Sequence, residues 1–150
     1  MKLSPHFSLS EFTYSNTARE QGIANTPNAT QIANMRALCE NILEPLRAHY
    51  GKPIRITSGF RSPKLSRAVG SSSRSQHCRG EAADFEIKGV SNYEVAKWIR
   101  DNLPYDQLIL ENYLRGSPNS GWIHCSYRKG RYKRSVLTYS RRKYFKGLLA

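Results

Sequence analysis

The stretch from Ser75 to Asp84, SQHCRGEAAD, sets an imidazole and a carboxylate, His77 and Asp84, seven positions apart, with the permissive Gly80 and the small pair Ala82 and Ala83 between them. A histidine and a carboxylate at a fixed separation are two of the three protein ligands that a catalytic zinc ion takes. The third ligand and a proton acceptor must come from elsewhere in the chain.

Two later segments offer them. Tyr105 to Glu111 and Gly121 to Tyr127 read as strands separated by the turn-rich NYLRGSPNS, which suits a hairpin. Side chains alternate faces along a strand, so Trp122, His124 and Ser126 share one face, and Gln107, Ile109 and Glu111 share a face on the other strand. Placed over the His77 to Asp84 segment, such a hairpin gathers His77, Asp84 and His124 for a metal and brings Glu111 close by. Three ligands leave a fourth position where bound water loses a proton near neutral pH. A carboxylate that does not bind the metal, Glu111 in this reading, takes that proton and hands it to a departing amine. Arg61 follows the first strand of this region, and its planar fork suits a substrate carboxylate or an oxyanion. Trp122, on the face of His124, is expected to wall the cleft. Cys78 and Cys125 each directly follow a histidine, so if both segments are extended their thiols point away from the metal.

The elements that must hold these groups are legible in outline. Residues 1 to 25 are polar, with Phe7, Leu9, Phe12 and Ile23 as anchors and one short helix after Ser8 or Ser10. Thr26-Pro27 is a helix start, and Ile32, Met35, Leu38, Cys39, Ile42 and Leu46 repeat at helical spacing up to Tyr50 and Gly51, with a kink or break expected one turn before Pro45. Pro53 to Thr57 alternates as a short strand, and FRSPKLSRAVGSSSRS follows as a long loop of the kind that serves function in a compact domain. A strand is expected over Ala83 to Ile87, and Ser91 with Glu94 matches a capping box for a helix that Pro104 ends. The elements predict an α+β domain with a small antiparallel sheet flanked by helices. The segment from Arg128 to Ala150 reads as a basic tail interleaved with Tyr132, Tyr139, Tyr144 and Phe145.

At 150 residues the chain fits a single domain, expected to act as a monomer. Its net charge of +13 calls for an anionic partner, for which a negatively charged cell envelope is a simpler account than nucleic acid. Three cysteines without CxxC spacing indicate buried thiols rather than disulfides or a zinc finger. The amino terminus carries no signal-type apolar run and no stretch reaches membrane-spanning length, so synthesis in the cytoplasm without membrane insertion is expected. His6 lacks a recognisable carboxylate partner and His49 closes a helix, so neither is counted as a ligand.

SGFRSPKLSRAVG, SQHCRGEAADF, YDQLILE and GWIHCSY together resemble the zinc D-Ala-D-Ala carboxypeptidase family, which includes phage endolysin peptidases and shares its fold with vancomycin-resistance dipeptidases and the Hedgehog amino-terminal domain. The resemblance runs from about Phe7 to about Tyr127, with FSLSEF and TPN also fitting. It implies Zn2+ on His77, Asp84 and His124, Glu111 as the base, and Arg61 and Ser75 on the substrate side; the adjacent Gln76 is expected to bind substrate as well. The substrate it implies is the stem peptide of peptidoglycan. A lysis enzyme of phage or prophage origin, reaching the wall with holin assistance or as part of a virion, is the expected role, with a catalytically idle wall-binding or DNA-binding module as the alternative. Ser66, where relatives often carry asparagine, and the GSSSRS turn depart from the family pattern in the expected substrate loop.

Overall fold

The computed structural model describes residues 1–149; Ala150, the last residue of the expected tail, lies outside the described residues. The chain opens with two short antiparallel strands, β1 (Lys2–Ser4) and β2 (Phe7–Ser8), followed by α1 (Leu9–Thr13) and α2 (Asn16–Gln21). Helix α3 (Ala29–Leu38) starts two residues later than Thr26-Pro27 suggests. Asn28 caps it: its side chain accepts from the Gln31 amide at 2.9 Å, and the Gln31 side chain accepts from the Asn28 amide at 2.8 Å. The helical path continues through a π turn, Cys39–Leu43, into α4 (Glu44–Tyr50). Pro45 lacks the N–H that would bond the turn before it, so the ladder widens there, and the Glu44 amide reaches back to the Cys39 carbonyl. The disturbance expected one turn before Pro45 therefore takes the form of a π turn.

After β3 (Arg55–Ser58), the stretch read as a loop contains a helix, α5 (Pro63–Ala68). Ser62 caps it by accepting from the Leu65 amide at 3.3 Å, and Pro63 occupies the first turn, where a missing N–H costs nothing. Ser66 is fully buried, and its hydroxyl donates to the Ser72 carbonyl at 2.6 Å, so it fastens the following turn instead of facing substrate. A 3₁₀ turn, Gln76–Arg79, leads through the left-handed Gly80 into β4 (Ala82–Glu86). The remaining elements are α6 (Asn92–Asn102), β5 (Gln107–Glu111), β6 (Trp122–Ser126), β7 (Ser135–Ser140) and β8 (Lys143–Lys146).

The main sheet has six strands in the order β3-β4-β6-β5-β7-β8. All neighbours are antiparallel except β5 and β7, which run parallel. The α+β class stands, but the larger sheet is mixed, and the segment read as a basic tail supplies two of its strands. The flanking arginines and lysines hide the short VLTY run from a reading by composition. The β7–β8 connection is a two-residue turn of Arg141 and Arg142, both at positive φ.

One face of the sheet builds the core. Ala83, Phe85, Leu108, Leu110, Ile123 and Cys125 are fully buried against Met35, Leu38, Ile42, Leu46, Val95 and Ile99 of the helices. Each large apolar side chain buried this way stabilises by about 1.5–3 kcal/mol. A one-residue slip of β6 would exchange Ile123 and Cys125 for Trp122 and His124 in that core, so the same burial fixes which residues reach the other face.

Candidate metal centre

On the face opposite the helices, neighbouring strands present the chemically capable residues. Asp84 of β4 and His124 of β6 are register partners, and Glu111 of β5 lies opposite Trp122 of β6. Asp84 thus sits beside His124 in the same sheet; the hairpin does not lie over it as the sequence suggested. Of the three candidate ligands, only His77 reaches in from outside the sheet, on the 3₁₀ turn.

Several contacts hold that turn. The Ser75 hydroxyl accepts from the His77 amide at 3.2 Å, and α3 braces the turn from behind: Gln31 Nε2 donates to the Cys78 carbonyl at 3.1 Å and Asn34 Nδ2 to the Arg79 carbonyl at 2.8 Å. At Gly80 an added Cβ would stand 2.5 Å from the Gln31 carbonyl oxygen, so glycine is what lets α3 come this close. His77 Nδ1 lies 2.7 Å from the Gly59 carbonyl oxygen. A carbonyl can only accept, so Nδ1 carries the proton and Nε2 is left bare, 3.3 Å from Asp84 Oδ1. Since Cys78 belongs to this turn, its segment is not extended and strand alternation does not place its thiol; the thiol is buried with the Ser72 carbonyl as its neighbour at 3.9 Å. Cys125 points into the core, where burial pushes its thiol far up.

Asp84 is the hub of the constellation. Its Oδ1 meets His77 Nε2 and, at 3.0 Å, His124 Nδ1, while Oδ2 accepts from an Arg61 nitrogen at 3.4 Å. Burial would raise the Asp84 pKa, but the two imidazoles outweigh it and hold the carboxyl well below the usual carboxylate range. Burial also pushes the His77 imidazole below its ordinary value, against the pull of Asp84. An ionised carboxylate and a neutral imidazole are the forms that bind metal. One atom from each of His77, Asp84 and His124 lies within 4.8 Å of the others, and this is the one such cluster among the described residues. Two imidazoles, one carboxylate and a carbonyl orienting one of the imidazoles fit a three-ligand zinc site.

Glu111 is half-buried in the same cleft. Trp122 Nε1 donates to its Oε2 at 2.9 Å, so Trp122 positions Glu111 as well as walling the cleft. Burial raises the Glu111 carboxyl above its usual range, the Asp84 charge adds to the rise, and His124, the Trp122 bond and Arg61 oppose it. Arg61 is held by the Ser58 hydroxyl, which accepts from Nε at 3.0 Å, and by Asp84.

The cleft has a volume of about 410 Å³ and contains every residue the sequence placed at the site, Ser75 and Gln76 included. Gln107, Ile109 and Tyr144 also line it. The first two share the face of Glu111, so strand alternation already implied them. Tyr144 comes from β8, and reading that segment as a tail concealed it; its ring packs 4.7 Å from that of Tyr139. At its Arg61 and Val69 end the cleft meets a second recess of about 270 Å³, and at its Gln76 and Gln107 end a third of about 320 Å³.

Among the described residues, no helix is long and apolar enough to cross a membrane. A family model described as Peptidase M15 matches residues 5–126, which include each of the residues above except Tyr139 and Tyr144. No curated protein matches the chain.

Proposed function

Because the chain belongs to the Peptidase M15 family, whose members are metallopeptidases, we propose that it is a zinc-dependent enzyme hydrolysing peptide bonds in the stem peptides of peptidoglycan. The observation that carries this reading is the convergence of His77, Asp84 and His124 within 4.8 Å, with Glu111 in the same cleft. His77 through Nε2, His124 through Nδ1 and Asp84 through its carboxylate would hold the ion. When bound, zinc supplies Lewis acidity and lowers the pKa of a coordinated water towards about 7.

The rest falls to the chain's own groups. Glu111 accepts the proton of the attacking water and carries it to the departing amine, and its raised pKa brings it nearer the pH at which one carboxyl can do both. With Oε2 engaged by Trp122, Oε1 is the oxygen free for the proton. Arg61, fixed by Ser58 and Asp84, faces the cleft and offsets charge on the oxygen of the tetrahedral intermediate. The recesses at both ends of the cleft suit a peptide running through it, which supports an endopeptidase, such as one cutting L-Ala-D-Glu, over a D-Ala-D-Ala carboxypeptidase with a closed terminal pocket. The exposed β8 hairpin, with Arg141, Arg142, Lys143 and Lys146, suits attachment to an anionic wall polymer and a lytic role of phage or prophage type. That hairpin also supports the second reading, a catalytically idle wall-binding module.

Turnover separates the two. Zinc-loaded protein incubated with purified sacculi should release peptides identifiable by mass, a chelator should stop the release and added zinc restore it. Glu111→Gln should keep stoichiometric zinc yet lose about 10²–10⁴-fold in rate, or about 2.7–5.5 kcal/mol of barrier. A Glu111→Gln protein as active as the parent would refute the assignment.

A further inference from the structure

The recess at the Gln76 end of the cleft is walled by three cations, Arg79, Arg131 and Lys133, and one carboxylate, Asp106. Gln76 and Gln107 line both this recess and the cleft of the candidate metal centre, so a peptide lying across that cleft extends directly into it. The carboxylate in it is already engaged. Asp106 is buried, with Oδ2 accepting from Gln76 Nε2 at 2.9 Å, and Oδ1 accepting from the Lys133 amide at 3.3 Å and lying 3.8 Å from Arg131 Nε. Behind the recess, buried Glu81 pairs with Arg79 at 2.8 Å and with Arg128 at 3.8 Å. The recess lining thus carries three cations against one carboxylate, a surplus of two positive charges, and Glu81 and Arg128 beside it offset each other. Among the described residues, Lys133 has no ion-pair partner.

A buried carboxylate that fixes one cation and two amides while the surplus charge faces an open recess is suited to anchor the walls of an anion site. An arginine fork and a lysine ammonium together match a carboxylate, to which the fork can bond through two nitrogens. We propose that this recess is a carboxylate subsite, with Arg131 and Lys133 as the contacting cations, which receives the free carboxylate of a residue flanking the scissile bond and makes the enzyme select acidic over amidated stem peptides. The inference rests on the peptidase reading, extending it from bond type to substrate charge.

The test uses two stem peptides that differ only in whether that flanking carboxyl is free or amidated. The zinc-loaded wild type should cut the free acid with a kcat/KM about tenfold higher, the difference lying in KM. Arg131→Gln/Lys133→Gln should erase the preference while changing the amidated substrate by less than about twofold. Equal cutting of both peptides by the wild type, or an equal loss on both in the double variant, would overturn the subsite. If the double variant does not fold, ionic strength serves in its place: raising salt on the wild type should narrow the preference, because an exposed charge contact is screened, and a preference indifferent to salt counts against it. Should the wild type cut neither peptide, the peptidase reading fails by itself, and direct binding of the two peptides to the zinc-loaded protein decides the subsite: tighter binding of the acid supports it and equal binding rejects it.

Discussion

Gly59 connects the packing of the amino-terminal region to the candidate metal centre, and replacing it with alanine should damage both. The Phe60 amide donates to the Phe12 carbonyl at 2.7 Å, which presses β3's end against α1. A Cβ at Gly59 would stand 2.7 Å from the Phe12 Cα and 2.8 Å from its carbonyl oxygen, about 0.7 Å inside an ordinary 3.4 Å contact. Phe12 is fully buried and the colliding atoms include backbone, so the Gly59 segment has to yield. Its carbonyl is the acceptor that orients His77 at 2.7 Å. A retreat of about 0.7 Å stretches that bond towards about 3.4 Å, past the usual range of about 2.7–3.2 Å, and weakens it. Overpacking of this kind costs about 1–3 kcal/mol, and loss of a partner orienting a ligand typically weakens metal binding by about 10–100-fold, equivalent to about 1.4–2.7 kcal/mol. Zinc affinity measured against a competing chelator, alongside urea unfolding, separates the two effects if Ile99→Val serves as the control. Ile99 is buried on the helical side of the sheet, and its truncation should cost about 0.5–1.5 kcal/mol without touching the site. A Gly59→Ala protein that loses stability but binds zinc as tightly as the control would refute the link between this carbonyl and His77.

Two further outcomes are expected. Arg141 and Arg142 hold φ of 51° and 63° in a two-residue hairpin turn that favours Asn-Gly, so Arg141→Asn/Arg142→Gly should raise unfolding stability by about 1–2 kcal/mol while weakening adsorption to anionic wall polymer. Glu44 accepts from the Ser4 hydroxyl at 2.6 Å and the His6 amide at 2.8 Å, and meets the His6 ring at 2.7 Å; burial would raise its pKa, but these contacts outweigh it and hold the carboxyl below its ordinary 4.5. A depressed folded pKa contributes stability that is present above 4.5 and lost as pH falls through the folded value. Glu44→Gln should therefore be less stable than the wild type by about 1–2 kcal/mol at pH 7, and the two urea curves should converge in strong acid; a constant gap down to that pH would contradict the assignment.

Much of the site was written in local pattern. The period-two alternation of Trp122, Ile123, His124 and Cys125 against Leu108 to Glu111 separates core from cleft, and burial of Ile123 and Cys125 makes that register the stable one. What stayed hidden depends on contacts distant in sequence. His77 sits on a 3₁₀ turn because α3 braces it through Gln31 and Asn34, which SQHC does not reveal by itself. Helix α5 was masked by the serine and arginine around it, although Ser62 and Pro63 are a capping residue and a first-turn proline. The pairing of β7 with β5 is parallel and spans a long separation, and strand propensity says little about such pairing, so Tyr144 could not be placed at the cleft from sequence.

The family match stops at Ser126, the last residue of β6, while β7 and β8 lie beyond it. The cleft is thus assembled from two parts, one within the matched residues and one beyond them. One carries every candidate ligand and the carbonyl that aims His77; the other, through Tyr144, contributes a wall and no ligand. Randomising positions 141–146 would reshape that wall while leaving the candidate ligands in place. The limit on such redesign lies on the outer side of β8, an open sheet edge where Lys143 and Lys146 discourage pairing with another chain, so a library stripped of both lysines would be prone to aggregation.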